Sequence, residues 1–170
     1  MKFFLKISCL FIIGIITAVI VYPILHELSH SIMCIFWGAE IIEINMLPYP
    51  SVLCNVSDVD TIGTIVIGMS GMLLPYIFVN IIKVKFFWIW YATYIVKVIS
   101  ALAFVISNIS SFCFLVGKPW PNDDTTQILM MWGDNKWIFL VILIILSIVA
   151  VFGLVSEKPL KKCFENFDMV

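Results

Sequence analysis

The sequence predicts an all-α multi-pass membrane protein of about four transmembrane helices, with a short membrane-associated β-hairpin after the first. Three observations lead there. Hydrophobic residues make up 62% of the 170, against about 45–50% in soluble domains. Residues 7–25, 61–82, 98–117 and 137–156 lack the charges that would keep them out of lipid. Each is close to the roughly 20 residues a helix needs to cross a hydrocarbon core about 30 Å thick. Residues 39–60, in contrast, carry strand-forming side chains on both sides of Pro48-Tyr49-Pro50, and prolines forbid a helix through the middle.

The first helix is expected over residues 3–37, stopping at Gly38. At 1.5 Å per residue it would be roughly 50 Å long, so it must tilt, kink or protrude. Pro23 is the expected kink, because it cannot donate to the Val19 carbonyl and its ring crowds that turn. Lys2 and Lys6 precede the apolar run as in a signal peptide. The run is long, however, no small-x-small cleavage site follows and His26 arrives at once, so the segment is expected to stay. The hairpin of residues 39–60 should pack over the bundle, since extended backbone at membrane depth is tolerated only against protein or a watery cavity. Asn55-Val56-Ser57 fits a glycosylation sequon, a three-residue match given no weight.

The second span holds Gly63, Gly68, Gly71 and Pro75, which permit close backbone approach. "FFWIWYATYIVK" reads as a membrane-interface segment leading into the third span. One continuous helix would place Lys97 in the membrane, and an unpaired lysine at the bilayer centre costs several kcal/mol. In "GKPWPNDDTTQILMMWGDNK" the prolines break structure, and Asp123 or Asp124 can then cap a short helix. Residues 1–156 form a single domain, and residues 157–170 a short, charged, solvent-exposed tail. Eight lysines, Lys2, Lys6, Lys83, Lys85, Lys97, Lys158, Lys161 and Lys162, would share one side of four spans. By the positive-inside tendency both termini are then cytoplasmic.

Net charge is −1, with ten lysines and no arginine. Without a larger basic cluster than Lys158, Lys161 and Lys162, no nucleic-acid partner is expected. Cys9, Cys34, Cys54, Cys113 and Cys163 are odd in number and scattered, which reads as small core residues and not a disulfide framework.

The chemistry concentrates in "PILHELSHSI", residues 23–32. His26 and His30, four apart, project from one helical face with Cβ atoms about 6 Å apart, which suits two ligands of one tetrahedral ion. Glu27, offset by about 100° around the axis, lies near such an ion without having to bind it, as in the H-E-x-x-H arrangement of zinc hydrolases. The pattern alone arises in roughly one chain of this length in a couple of hundred. Here its histidines are the only two in the chain, and polar groups inside membrane helices mark functional sites. A hydrolytic zinc site needs three protein ligands and one open position. With no third histidine, the remaining ligand should be a carboxylate, Asp123 or Asp124, with Glu40 and Glu43 as fallback.

Together, "LHELSHSIMCIFWGAEI", "GMSGMLLPY" and "SNISSFCFLVGKPWPNDDTTQIL" resemble the site-2 protease family of intramembrane zinc metallopeptidases, in its short, minimal form. The resemblance covers most of residues 20–130. It implies a three-helix catalytic core with Zn2+ on His26, His30 and an aspartate, Glu27 as the group that activates water, and a membrane-anchored protein or peptide as substrate. It also implies that the hairpin offers a strand edge to an unwound substrate, as extended peptides add to exposed edges. Ser29 stands where the family usually has glycine, and Asp123-Asp124-Thr125 where it usually has Asp-Gly. Aligning Asp124 with the family's Asp-Gly-led helix makes Asp124 the ligand, whereas reading Asn122-Asp123 against an Asn-Asp-Gly form makes it Asp123; the first is taken. The competing expectation is a non-catalytic membrane protein that binds a metal or a partner through the same residues. A channel or transporter would want polar residues along several helices, and here they concentrate on one.

Overall fold

The computed structural model describes residues 2–46, 50–121, 123–132 and 136–168. Pro48 and Tyr49, in the expected hairpin turn, and Asn122 lie outside them. The chain is mostly helical. Its elements run α1 (Lys2–Ile16), a π-helical turn (Thr17–Val21), α2 (Tyr22–Phe36), β1 (Glu40–Asn45), β2 (Ser51–Asn55), α3 (Thr61–Ile81), α4 (Phe87–Leu115), α5 (Asp124–Met131), α6 (Lys136–Ser156) and α7 (Pro159–Asp168). Among the described residues, four helical stretches, Phe4–Phe36, Thr61–Ile81, Phe87–Leu115 and Lys136–Asn166, are long and apolar enough to cross a membrane.

Pro23 sits in the first turn of α2, directly after the π-helical turn, where the Tyr22 N–H reaches back to the Thr17 carbonyl. The wider turn thus falls immediately ahead of Pro23, the residue that has no N–H to offer the Val19 carbonyl. Further on, Gly38 adopts φ 73°, and the Ala39 N–H bonds the Cys34 carbonyl at 2.8 Å while the Gly38 N–H bonds that of Ile35 at 3.2 Å. This Schellman ending needs a left-handed residue at Gly38 and turns the chain into the hairpin. Strands β1 and β2 pair antiparallel, from Glu40 opposite Asn55 to Asn45 opposite Ser51, with an irregularity between Ile41 and Glu43.

Helix α2 packs on α3, α3 on α4 and α4 on α6, while α5 docks on α3 and α4. Met72, Phe104, Ile128, Leu129, Phe139 and Leu143 form the main core. Gly68 allows α5 to approach, since a Cβ there would fall 2.8 Å from Ile128 Cγ1. Asn108 ties α4 to α6 through the Ser147 hydroxyl at 2.6 Å and the Leu143 carbonyl at 3.3 Å.

Three expectations are corrected. The aromatic stretch before Lys97 is not a separate interface segment but the opening turns of α4. Lys97 is tolerated there because it is ion-paired with Glu157. Glu157, expected to be solvent-exposed with the rest of the tail, is instead half-buried: it also accepts from Trp90 Nε1 at 3.4 Å and lies 3.9 Å from Lys162 Nζ, and Lys162 sits 4.8 Å over the Trp90 ring. Finally, Cys34 and Cys54 are not two independent core residues but a disulfide joining the end of α2 to β2, with Cα atoms 6.5 Å apart. The twenty-residue separation carries no spacing motif, and only the folding back of the hairpin brings the two together.

Candidate metal centre

His26 and His30 point from α2 toward α3, and α5 brings Asp124 to the same spot. His26 Nε2 lies 3.2 Å from His30 Nε2, and Asp124 Oδ2 lies 3.4 Å from the first and 3.5 Å from the second. Among the described residues this is the group of His, Cys, Asp and Glu side chains placed to hold a metal ion. Tetrahedral donors about 2.0–2.1 Å from a zinc ion stand about 3.3–3.4 Å from one another. The three observed separations match that triangle, so the donor set fits the ion chemically and in spacing.

The supporting contacts fix which nitrogen faces the triangle. His30 Nδ1 lies 2.7 Å from the Ile67 carbonyl oxygen, and the Ser70 hydroxyl, which donates to the same carbonyl at 2.6 Å, lies 3.3 Å from that nitrogen. With Nδ1–H donating to Ile67, Nε2 keeps its lone pair for a cation, the usual outer support of a ligating histidine. Helix α3 can come this close because residue 71 is glycine. A Cβ there would stand 2.5 Å from His26 Cε1 and 2.5 Å from His30 Nε2.

The adjacent aspartates divide two tasks. Asp123 caps α5: its Oδ2 accepts from the Thr126 N–H at 3.0 Å and the Thr126 hydroxyl at 3.2 Å, and from the Ser110 hydroxyl of α4. Asp124 begins the helix and turns to the imidazoles. Burial by itself would push the Asp124 carboxyl up, but when the imidazoles carry protons on the nitrogens that face it, hydrogen bonds from His26 and His30 outweigh burial and hold the group well below the usual carboxylate range. The fallback acids are elsewhere, in β1, where Glu43 Oε1 accepts from Asn45 Nδ2 at 2.8 Å.

Glu27 Oε1 lies 3.9 Å from His26 Nε2, adjacent to the triangle and not part of it. A cavity of about 230 Å³ opens beside these groups, lined by Glu27, His30, Asp124, Thr64, Gln127 and the Cys34–Cys54 pair among others. Ser29, where the resemblance expects glycine, donates to the Leu25 carbonyl at 2.6 Å, so its hydroxyl is satisfied within α2. Sequence reasoning did not find Ser70 and the Ile67 carbonyl, nor Ser110, because only docking of α3 and α4 gives them their partners. Gly71 was legible as a residue of close approach but not as the one facing the histidines. No family model matches the chain, and neither the curated proteins nor the solved structures yield a match.

Proposed function

We propose that the chain is an integral, multi-pass membrane zinc metalloendopeptidase of the site-2 protease type, cutting peptide bonds of membrane-anchored substrates. The observation that carries this reading is the donor triangle of His26, His30 and Asp124 with a carboxylate, Glu27, next to it and a cavity in front. His26 Nε2, His30 Nε2 and Asp124 Oδ2 would hold the ion. When bound, zinc would polarise a scissile carbonyl and acidify water.

The chain's own groups do the rest. Glu27, free of the triangle, takes the proton from the attacking water and returns it to the leaving amine. The Ile67 carbonyl and Ser70 keep His30 in the tautomer that offers Nε2. Asp123 holds the start of α5 so that Asp124 arrives at the imidazoles. Helix α3, at Gly71, closes one side of the triangle against the two imidazoles.

Glu27→Gln tests the assignment. It should retain one zinc per chain, as should wild type, and lose proteolysis of a membrane-anchored reporter. Proteolysis that survives in Glu27→Gln overturns the base, and wild-type protein purified without zinc favours the non-catalytic binding protein.

A further inference from the structure

The ends of the helices differ in charge. α3 ends, α4 begins and α6 ends on one side of the bundle, where Tyr22 packs with Val79 and Val96 and Glu157 meets Lys97. All lysines except Lys118 and Lys136 belong to segments at that end. The opposite end holds the hairpin, the start of α3, the end of α4 and α5. There the sequence places Glu40, Glu43, Asp58, Asp60, Asp123 and Asp124. Basic residues concentrate on the cytoplasmic side of membrane proteins, so the hairpin end is the outer one. The Cys34–Cys54 disulfide lies at the same end and points the same way independently, because disulfides persist in oxidising, non-cytoplasmic compartments.

The mouth of the metal-centre cavity is at this end too. Cys34, Cys54, Val52 and Leu53 line it together with Glu27, His30 and Asp124. His30 and His26 lie six and ten residues before Phe36, the last residue of α2, hence about 9 and 15 Å below that end at 1.5 Å per residue.

We propose that the centre opens to the exoplasmic side of the membrane, with the Cys34–Cys54 bond fastening the hairpin beside its mouth. The substrate class this selects is a membrane-anchored protein whose scissile segment lies in the outer half of the bilayer or just outside it. This rests on the peptidase reading for the substrate, whereas the orientation stands on charge and disulfide alone.

The test reads orientation without reading activity. In full-length protein with Cys9, Cys113 and Cys163 replaced by serine and the disulfide retained, Gln127→Cys puts one free thiol at the mouth, and Glu165→Cys in α7 puts one at the other end. Intact cells are treated with a membrane-impermeant maleimide. The expected result is labelling at position 127 in intact cells, and at position 165 only after permeabilisation. Labelling at 127 only after permeabilisation, or of both positions in intact cells, overturns the proposal. As a check that needs no new cysteine, Cys34→Ser leaves Cys54 as a free thiol, which should be labelled in intact cells; if only lysed cells label it, the orientation is again refuted. Loss of the peptidase reading, by absence of zinc or of cleavage, leaves these labelling results untouched.

Discussion

Gly71 and His26 are in such close contact that the helix α3 backbone forms one wall of the imidazole site: a Cβ on residue 71 would lie 2.5 Å from His26 Cε1 and 2.7 Å from its Nε2. Backbone cannot retreat from that contact without moving α3, so the rings must move instead. Gly71→Ala should therefore spread the donor triangle and weaken zinc binding by about tenfold or more, the scale on which disturbed outer support acts. Zinc titration of the purified variant, beside a circular dichroism spectrum that stays wild type, checks this. Unchanged affinity would show that the rings have room.

Asp123 and Asp124 separate by effect. Asp124→Ala removes a donor and should abolish stoichiometric zinc while leaving the helical content intact. Asp123→Ala removes the cap of α5 and its tie to Ser110, costing about 1 kcal/mol of stability, and should weaken zinc without abolishing it. Metal analysis and thermal unfolding in detergent distinguish the two. The reverse pattern would exchange their roles.

Zinc retention should depend on pH through the imidazoles, not through the carboxylate. Metal binding requires deprotonated ligands. Once acid protonates the imidazoles, they hold the Asp124 carboxyl below the usual range against the opposing effect of burial, so it stays ionised to lower pH than a free aspartate. Acidification should then release zinc while Asp124 is still charged. A zinc-release midpoint below about pH 4, the ordinary carboxylate range, would contradict this.

Breaking the Lys97–Glu157 pair should cost more than removing it. Lys97 is only 13% exposed, so Glu157→Gln leaves a largely buried ammonium without its counter-charge, destabilising by about 3 kcal/mol. Adding Lys97→Met to Glu157→Gln should recover much of that loss. The measurement is the thermal midpoint of each variant in the same detergent, and a double variant no better than Glu157→Gln alone would exclude the pair as the cause.

Cys54→Ser should free the hairpin from α2. A loop of twenty residues closed by a disulfide contributes about 3 kcal/mol through the entropy of the unfolded chain. Proteolytic nicking between residues 39 and 60 should therefore rise in this variant at unchanged zinc content, and equal protection would mean that packing alone holds the hairpin.

The four apolar stretches, the glycine stop at residue 38, the hairpin strands and the pairing of two histidines on one face were all legible in the sequence, because each depends on a run of neighbours. At Pro23 the missing donor was legible because it is local, whereas the π-helical turn ahead of it was not, since no sequence signal marks a wider turn. Lys97 was misjudged because its partner lies 60 residues away, and hydropathy prices a charge without knowing what faces it. Cys34 and Cys54 were misjudged for the same reason.

By itself the sequence determined that a helical turn in apolar surroundings carries two imidazoles and an acid at metal-binding spacing, since helix geometry converts i and i+4 into one face. Only the tertiary structure decided which aspartate joins them. Two neighbouring carboxylates at a helix start point in different directions, and the docking of α5 against Ser110 and α3 turns Asp123 into the cap and Asp124 toward the histidines.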